Sequence, residues 1–398
     1  NYGLKFCWKG PVQFMGTQKY DVIVVGLGAM GSATAYHLAR RGYRVLDLDA
    51  NPRRHKNGSS HGTSRIIREA YLEGADYVPL VQRAYELWRE LEAESGQHLL
   101  NITGCLTISE PQNSFVSGAL ASCRRFNLPH EYLSAAEVNR HFPGYTLSEN
   151  LAAVFEPKGG YLLPEECVLA HLDLALRHEA EIHHEEPVLK WSAPGENEVV
   201  VETAQGTYSA ERLVITTGPW ASELLAELGI PLKVWRIVNA HFEPDEPARF
   251  LPEVFPVYLL EVPEGKYYGF PALPGEGLKL GRHDIGELCT PQTINREVAP
   301  SEIEQLKNIL DKYMRGGAAA FKWSLTCMYT LTPDRNFVLD RHPGQSNVVY
   351  GCGFSGHGFK FAAAIGEVLA ELAVDGRSQQ SIEFLSAARF NKDAKDTQ

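Results

Sequence analysis

The sequence predicts an α/β protein with two domains: a Rossmann-type nucleotide-binding domain that is discontinuous along the chain, and a second, α+β domain built mainly on an antiparallel sheet. Three observations point there. A β-branched run at 21–25 leads straight into Gly26-Leu-Gly28-Ala-Met-Gly31. A second buried run at 212–217 ends on Gly218-Pro219-Trp220, far downstream. Between 230 and 325, Tyr, Phe, Pro and Glu interleave in strand-like alternation.

The first unit carries the strongest local signal. Asp21-Val-Ile-Val-Val25 is the kind of run buried in a parallel sheet, helical spacing follows over 32–41, and Gly42 can cap that helix. Residues 44–49 then read as a strand ending in Asp49, 18 residues after Gly31. A lone G-x-G-x-x-G is more often an ordinary turn, but here strand, helix and acid are all in place. Gly26 makes the tight turn, Gly28 admits a pyrophosphate to the backbone, and Gly31 lets helix and strand pack closely. The helix N-terminus faces the phosphates, and Asp49 accepts from a ribose hydroxyl. Asp47 stands where the strand calls for an apolar residue.

Further elements follow in order. Residues 198–203 and 206–209 read as a hairpin, 221–228 as a helix, 257–261 and 267–270 as strands, 347–350 as a short strand, and 359–374 as a helix. The expected division places 18–95, 150–228 and 326–390 in the nucleotide-binding domain and 96–149 with 229–325 in the second. Residues 1–17 form an extension in which Met15 could be an original start.

Composition narrows the function classes. The 398 residues suffice for two or three cores at about 150 residues each. With 38 Lys and Arg against 49 Asp and Glu, the net charge of −11 repels nucleic acid and anionic lipid, so neither is an expected partner. The apolar stretch 361–374 is interrupted by Glu367 and Glu371 and falls short of the ~20 residues of a spanning helix. The first 19 residues lack the apolar region of a secretory signal. Seven scattered cysteines without a C-x-x-C pair fit a reducing compartment. The C-terminal residues 393–398 carry no Ser-Lys-Leu address, so a cytoplasmic location is expected ahead of a peroxisomal one. There is no H-E-x-x-H, Walker loop or G-x-S-x-G elbow, no metal site is expected, and His183-His184-Glu185-Glu186 reads as a solvated turn.

Four segments combine residues suited to chemistry. Residues 58–73 form a Gly/Ser/His loop with His61 and two arginines, Arg65 and Arg68, that share a face on a helix and oppose each other on a strand; a solvated basic loop is the plain alternative. Tyr267-Tyr268-Gly-Phe-Pro precedes Gly277-Leu-Lys279-Leu-Gly-Arg282-His283, where Lys279 points outward in the ordinary case and inward if it serves an anion or chemistry. Cys327-Met328-Tyr329 presents a cysteine that, read alone, is a small buried apolar residue. Gly353-Phe-Ser-Gly356-His357-Gly358-Phe-Lys360 is a glycine-rich turn opening a helix.

These four segments, in this order behind an N-terminal dinucleotide fingerprint, resemble the monomeric sarcosine oxidase family of flavoproteins, which includes N-methyltryptophan oxidase and the sarcosine and pipecolate oxidases of animal peroxisomes. The similarity spans residues 20–390 and includes Asp340-Arg-His-Pro343. It implies FAD attached through a thioether from Cys327 to the flavin 8α carbon. It implies that Lys279 lies over the flavin and activates oxygen, that Arg68 and Lys360 hold a substrate carboxylate, that Arg65 and His61 pack on the flavin, and that Tyr268, His283 and Tyr329 surround the substrate amine. The expected cofactor contacts are Gly26, Gly28, Gly31, Asp49, Ser60 and Arg65, then Thr217, Gly218 and Trp220, then Cys327, Met328, Gly353, Gly356, His357, Gly358 and Lys360. Arg282 departs from the tyrosine common at its position and is expected to alter the pocket mouth.

The implied function is oxidation of a small secondary α-amino acid to an imine that hydrolyses, formaldehyde plus glycine from sarcosine, with oxygen reduced to hydrogen peroxide by a monomeric enzyme. The alternatives are a cyclic imino acid (L-pipecolate or L-proline) oxidase, a flavin dehydrogenase and a non-catalytic flavin scaffold. An NAD-linked dehydrogenase shares the fingerprint but has no use for the Cys-Met-Tyr segment or the strand lysine.

Overall fold

The computed structural model describes residues 19–391; the expected extension 1–17, with Cys7 and Met15, and the C-terminal residues 393–398 lie outside the described residues. Parallel pairing builds the first sheet. Lys19–Val25 lies between Val45–Leu48 and Thr207–Ile215, Glu181–His183 extends it beyond Val45–Leu48, and Gln345–Cys352 pairs in parallel with Thr207–Ile215. The hairpin of Val188–Gly195 and Glu198–Thr203 is appended antiparallel, giving eight strands with Val338–His342.

The helix Ala29–Arg40 begins three residues earlier than its hydrophobic spacing suggests, because Gly28 in extended conformation turns the chain directly into it. Every residue from Ala29 to Ala39 is buried. That burial comes from packing between the sheet and the helices Ala362–Val374 and Pro164–Arg177, around one apolar core. Glycine is required at two turn positions: Gly26 has φ +91°, and a Cβ at Gly31 would stand 1.8 Å from the Gly26 carbonyl oxygen. The expected helix 221–228 is broken at Leu225 into an α-turn, Ala221–Leu224, and a 3-10 turn, Ala226–Leu228. Residues 359–361 likewise form a 3-10 turn ahead of the helix Ala362–Val374.

A second sheet of nine strands is antiparallel except where Val257–Val262 meets Cys105–Ser109. Its spine is Lys233–Glu243, paired along its length with Ala320–Leu331 on one edge and with Gly277–Arg282 and Glu287–Cys289 on the other. A small third sheet joins Arg65–Ile67 to Gly160–Leu162 and Leu100–Ile102. Two expected divisions move. Ala152–Glu156 pairs with Cys105–Ser109 and Glu131–Ser134, and Ala320–Leu331 runs unbroken through 326, so both strands belong to the second sheet and not to the nucleotide-binding sheet. No helix among the described residues is long and apolar enough to cross a membrane.

Two polar features of the first sheet depart from expectation. The segment His183-His184-Glu185-Glu186, expected as a solvated turn, is solvated only in part: Glu185 is exposed and the two histidines are half-buried, but Glu186 is 1% exposed. Asp47 lies opposite Val24 and Ile182 with both carboxyl oxygens buried and without a hydrogen-bond partner among the described residues. Burial raises its pKa well above the ordinary carboxyl value. It is therefore protonated when folded and ionised when unfolded over the pH range between those two values, and it costs stability progressively as pH rises. Asp47→Val should raise the melting temperature at pH 8 by the equivalent of about 1–3 kcal/mol. The gain should shrink as the pH is lowered toward 4; thermal scans of both proteins across pH test it, and a gain independent of pH would contradict it.

Candidate cofactor and active site

A cavity of about 550 Å³, within the ordinary range for ligand sites, is lined by residues of both large sheets and the loops between them. At one end are the Gly26–Met30 turn, Asp49, Ser60, Pro187, Val188, Leu189, Thr217, Gly218 and Trp220. At the other are His61, Arg65, Arg68, Tyr268, His283, Cys327, Met328, Tyr329, Gly356, His357 and Lys360. Four expected site residues are off the wall: Gly31, which serves helix packing, and Lys279, Gly353 and Gly358. Arg282 is also off the wall; it is ion-paired to Asp284 at 2.8 Å and lies over Tyr267, which corrects its expected place at the pocket mouth.

The first end has the donor set of an adenosine diphosphate cradle. Asp49 stands at the end of its strand, accepting from the backbone N–H of Leu27 at 2.6 Å and of Asn51 at 2.7 Å, so its carboxylate is oriented before any ribose arrives. Ser60 Oγ accepts from the Ala29 N–H at 3.0 Å, closing the loop over the helix N-terminus. The Thr217 hydroxyl and His61 Nδ1 are buried with no partner among the described residues, polar atoms that a bound ligand can satisfy. The glycine turn, the oriented acid and these orphan atoms fit FAD.

At the other end Arg65 is the organiser. Its guanidinium donates to the carbonyls of Ser64, His61 and Ser59, at 2.9, 2.6 and 3.1 Å, and lies 3.8 Å from Cys327 Sγ. A positive charge thus stands beside the only cysteine on the cavity wall among the described residues. Burial, reinforced by Arg65, brings the His61 imidazole down to about 4. His61 is therefore neutral at pH 7, and Nε2 donates to the Thr326 carbonyl at 2.9 Å, which leaves Nδ1 as an acceptor.

Arg68 and Lys360 sit on the same wall, 1% and 5% exposed, and both stack on the Tyr71 ring, at 4.6 and 5.2 Å from its centroid. Arg68 donates to the Ala70 carbonyl and to Glu73 Oε2 at 2.5 Å. Burial pushes the Glu73 carboxyl up, but Arg68, His357 and Lys360 outweigh it and hold it well below the usual range. Burial and the Arg68 charge bring the Lys360 ammonium down to about 7. His357 accepts from the Tyr71 hydroxyl and donates to the Arg335 carbonyl, which fixes the turn that carries Lys360. Across the cavity Tyr268 donates to Asn239 Oδ1 at 2.6 Å, and the Tyr329 hydroxyl stands 3.4 Å from His283 Nδ1. Burial lowers His283 to about 4.

Lys279 takes the inward orientation. It is 2% exposed, donates to the carbonyl and hydroxyl of Ser64 at 3.0 and 3.3 Å, and lies 4.6 Å over the Phe270 ring. Burial and the nearby Arg65 pull its ammonium well below the ordinary lysine value. The residue sits one layer behind the wall formed by Arg65 and Phe270.

Two polar residues of the cavity's Cys327 end, Glu73 and Asn239, were not singled out from the sequence, nor was the wall 187–189. Glu73 lies five positions after Arg68 in the loop already marked, and an acid so close to a buried arginine was the available signal. Asn239, mid-strand in Lys233–Glu243, offered only a polar break in an apolar alternation.

The comparisons with known proteins agree with this geometry. The family model described as FAD dependent oxidoreductase matches residues 21–372. Monomeric sarcosine oxidase of Streptomyces avermitilis is 43% identical, covering 93% of this chain and 98% of that protein. N-methyl-L-tryptophan oxidase of Yersinia pestis is 35% identical over 93% of this chain and 99% of that one. Among solved structures, NikD, an unusual amino acid oxidase essential for nikkomycin biosynthesis, is 26% identical with a TM-score of 0.81, covering 93% and 98% of the two chains. L-proline dehydrogenase from P. horikoshii shares the fold, with a TM-score of 0.81 at 24% identity over 95% of this chain and 99% of that one. With a prepared FAD cradle at one end of the cavity, buried cations at the other and relatives matched nearly end to end, the chain belongs to the monomeric sarcosine oxidase family of FAD-dependent amine oxidoreductases.

Proposed function

We propose that this protein oxidises small secondary α-amino acids, sarcosine first and cyclic imino acids such as L-pipecolate or L-proline second, with FAD tethered at Cys327 and oxygen as electron acceptor. The observation that carries the reading is the pair Arg68 and Lys360, buried cations on the cavity wall whose only ionic partner among the described residues is Glu73. An internal carboxylate on Arg68 marks that guanidinium as a carboxylate receptor. Bound FAD would supply the acceptor for a hydride equivalent from the carbon bearing the amine and the relay of two electrons to oxygen, the products being an imine that water hydrolyses and hydrogen peroxide.

The chain's own residues supply placement and charge. Arg68 and Lys360 pin the carboxylate and so aim the reacting C–H bond. Tyr268, Phe270 and Tyr329 wall the space beside it with aromatic carbon, which accommodates an N-methyl group and equally the carbons of a small ring. A neutral His283 faces the amine without adding a repelling charge. Lys279, hydrogen-bonded through Ser64 and readily deprotonated, stands ready to stabilise reduced oxygen and to give it a proton.

Removing one partner of a buried charge-assisted contact costs about 2–5 kcal/mol. Arg68→Ala should therefore lower kcat/KM for sarcosine by roughly two orders of magnitude or more, with little change for N-methylethylamine, which has no carboxylate. Steady-state peroxide assays with sarcosine, pipecolate, proline and N-methylethylamine decide it. Comparable wild-type efficiency on N-methylethylamine would remove the clamp and the substrate class together.

Covalent attachment predicts that, after acid precipitation, the yellow colour stays in the protein pellet, and that Cys327→Ala moves it to the supernatant. Flavin released entirely from the fully loaded wild-type protein refutes the tether.

A cation about 4 Å from a developing oxygen anion at an effective dielectric near 20 is worth roughly 4 kcal/mol, and Lys279, one layer behind the wall, keeps part of that, on the order of one to two decades in rate. Lys279→Met should slow reoxidation of the reduced flavin by about one to two decades while leaving anaerobic reduction by sarcosine nearly unchanged. Stopped-flow traces with both half-reactions slowed equally would contradict this role.

A further inference from the structure

Glu186 is the least exposed carboxylate of the segment expected to be a solvated turn, and it collects three donors. Oε1 accepts from the Thr203 hydroxyl at 2.6 Å and the Tyr208 hydroxyl at 2.7 Å, while Oε2 faces His183 Nδ1 at 2.8 Å. Burial pushes its pKa up, but these donors outweigh burial and hold it below the ordinary value, so it is ionised. His183 in turn presents Nε2 to Glu181 Oε1 at 2.8 Å, and Glu181 accepts from the Tyr20 hydroxyl, also at 2.8 Å. One polar network joins the strands Lys19–Val25, Glu181–His183, Glu198–Thr203 and Thr207–Ile215 of the first sheet.

The backbone of the same segment leads straight to the cofactor cradle. Asp49 N–H donates to the His183 carbonyl at 3.0 Å, and Glu186 N–H donates back to the Asp49 carbonyl at 2.8 Å. Between them Glu185 adopts φ +58°, a left-handed conformation that is unfavourable for a residue with a Cβ and persists only where its surroundings impose it. The three residues after Glu186, namely Pro187, Val188 and Leu189, are on the cavity wall at the same end as Asp49. None of these interactions touches the Cys327 end of the cavity.

We propose that Glu186, held by Thr203, Tyr208 and His183, is a positioning residue for the adenosine half of FAD, setting at once the acid Asp49 and the apolar wall 187–189. The carboxylate touches no ligand itself. It acts through the backbone ladder to Asp49 on one side and through the chain direction at Pro187 on the other. A dinucleotide is therefore recognised at two separately supported ends: the adenosine end by this network and the flavin end by Arg65 and the clamp.

The test uses the full chain with Cys327→Ala, so that flavin exchanges freely, and three probes: FAD, ADP as the adenosine half alone, and FMN as the flavin half alone. Glu186→Gln should weaken FAD and ADP binding tenfold or more in fluorescence and calorimetric titrations and leave FMN affinity within twofold. Tyr208→Phe, which removes one donor and keeps the carboxylate, should weaken FAD and ADP severalfold with the same selectivity, and it carries the test if the first variant does not fold. Equal weakening of all three probes would assign the network to general stability and overturn the proposal; so would unchanged affinity for ADP. Because no amine substrate enters the experiment, its outcome is independent of the substrate reading.

Discussion

Three basic side chains buried at one cavity or one layer behind its wall are the constraint on which the rest of the structure turns. Arg68, Lys279 and Lys360 are each at most 5% exposed, in a chain whose net charge is −11. Burying a charge without compensation is expensive, and each is held by a different device: Arg68 by Glu73 and a carbonyl, Lys279 by Ser64, Lys360 by the His357 carbonyl. The partial compensation matters. Glu73 is the one carboxylate beside Arg68 and Lys360 among the described residues, and burial with the Arg68 charge brings the Lys360 ammonium down to about 7.

The second sheet aims one of the three, Lys279 on Gly277–Arg282, while Arg68 follows the small third sheet and Lys360 lies in the turn 359–361. Cross-strand register sets His241, Lys279 and Phe270 side by side, so the lysine is flanked by rings along its own face of the sheet. The same spine, Lys233–Glu243, pairs Ile237 with Cys327 and Trp235 with Tyr329, which fixes the cysteine and the tyrosine two residues apart on a strand and on a common face. Charge and aromatic surface reach the cavity from a rigid lattice of strands, while the loop 58–64 reaches it from the nucleotide-binding side.

Much of this was legible in the sequence because it is local. The strand, glycine turn, helix and acid of the first unit lie within 30 residues, and their spacing alone implies the cradle found at Gly26–Met30 and Asp49. The pairing of Arg68 with Lys360 came only from family likeness, since 292 positions separate them and no periodicity links them. What escaped was tertiary. Glu186 looks like any surface acid until Tyr208 and Thr203 are folded against it, and Asn239 acquires a partner only when Tyr268 is brought across the sheet. The division at 326 failed for a related reason: glycine-rich and cysteine-bearing motifs read as cofactor-domain sequence, whereas strand pairing assigns Cys327 to the other sheet.

Arg65 latches parts of the molecule that are far apart in the chain. It gathers three carbonyls of the loop 59–64 and leans on Cys327, which lies on a strand of the second sheet. The sulfur acquires its cationic neighbour only after both sheets have formed and docked. The meeting of sulfur and guanidinium is in this sense a record of assembly: a chain with either half misfolded leaves Cys327 and Arg65 apart.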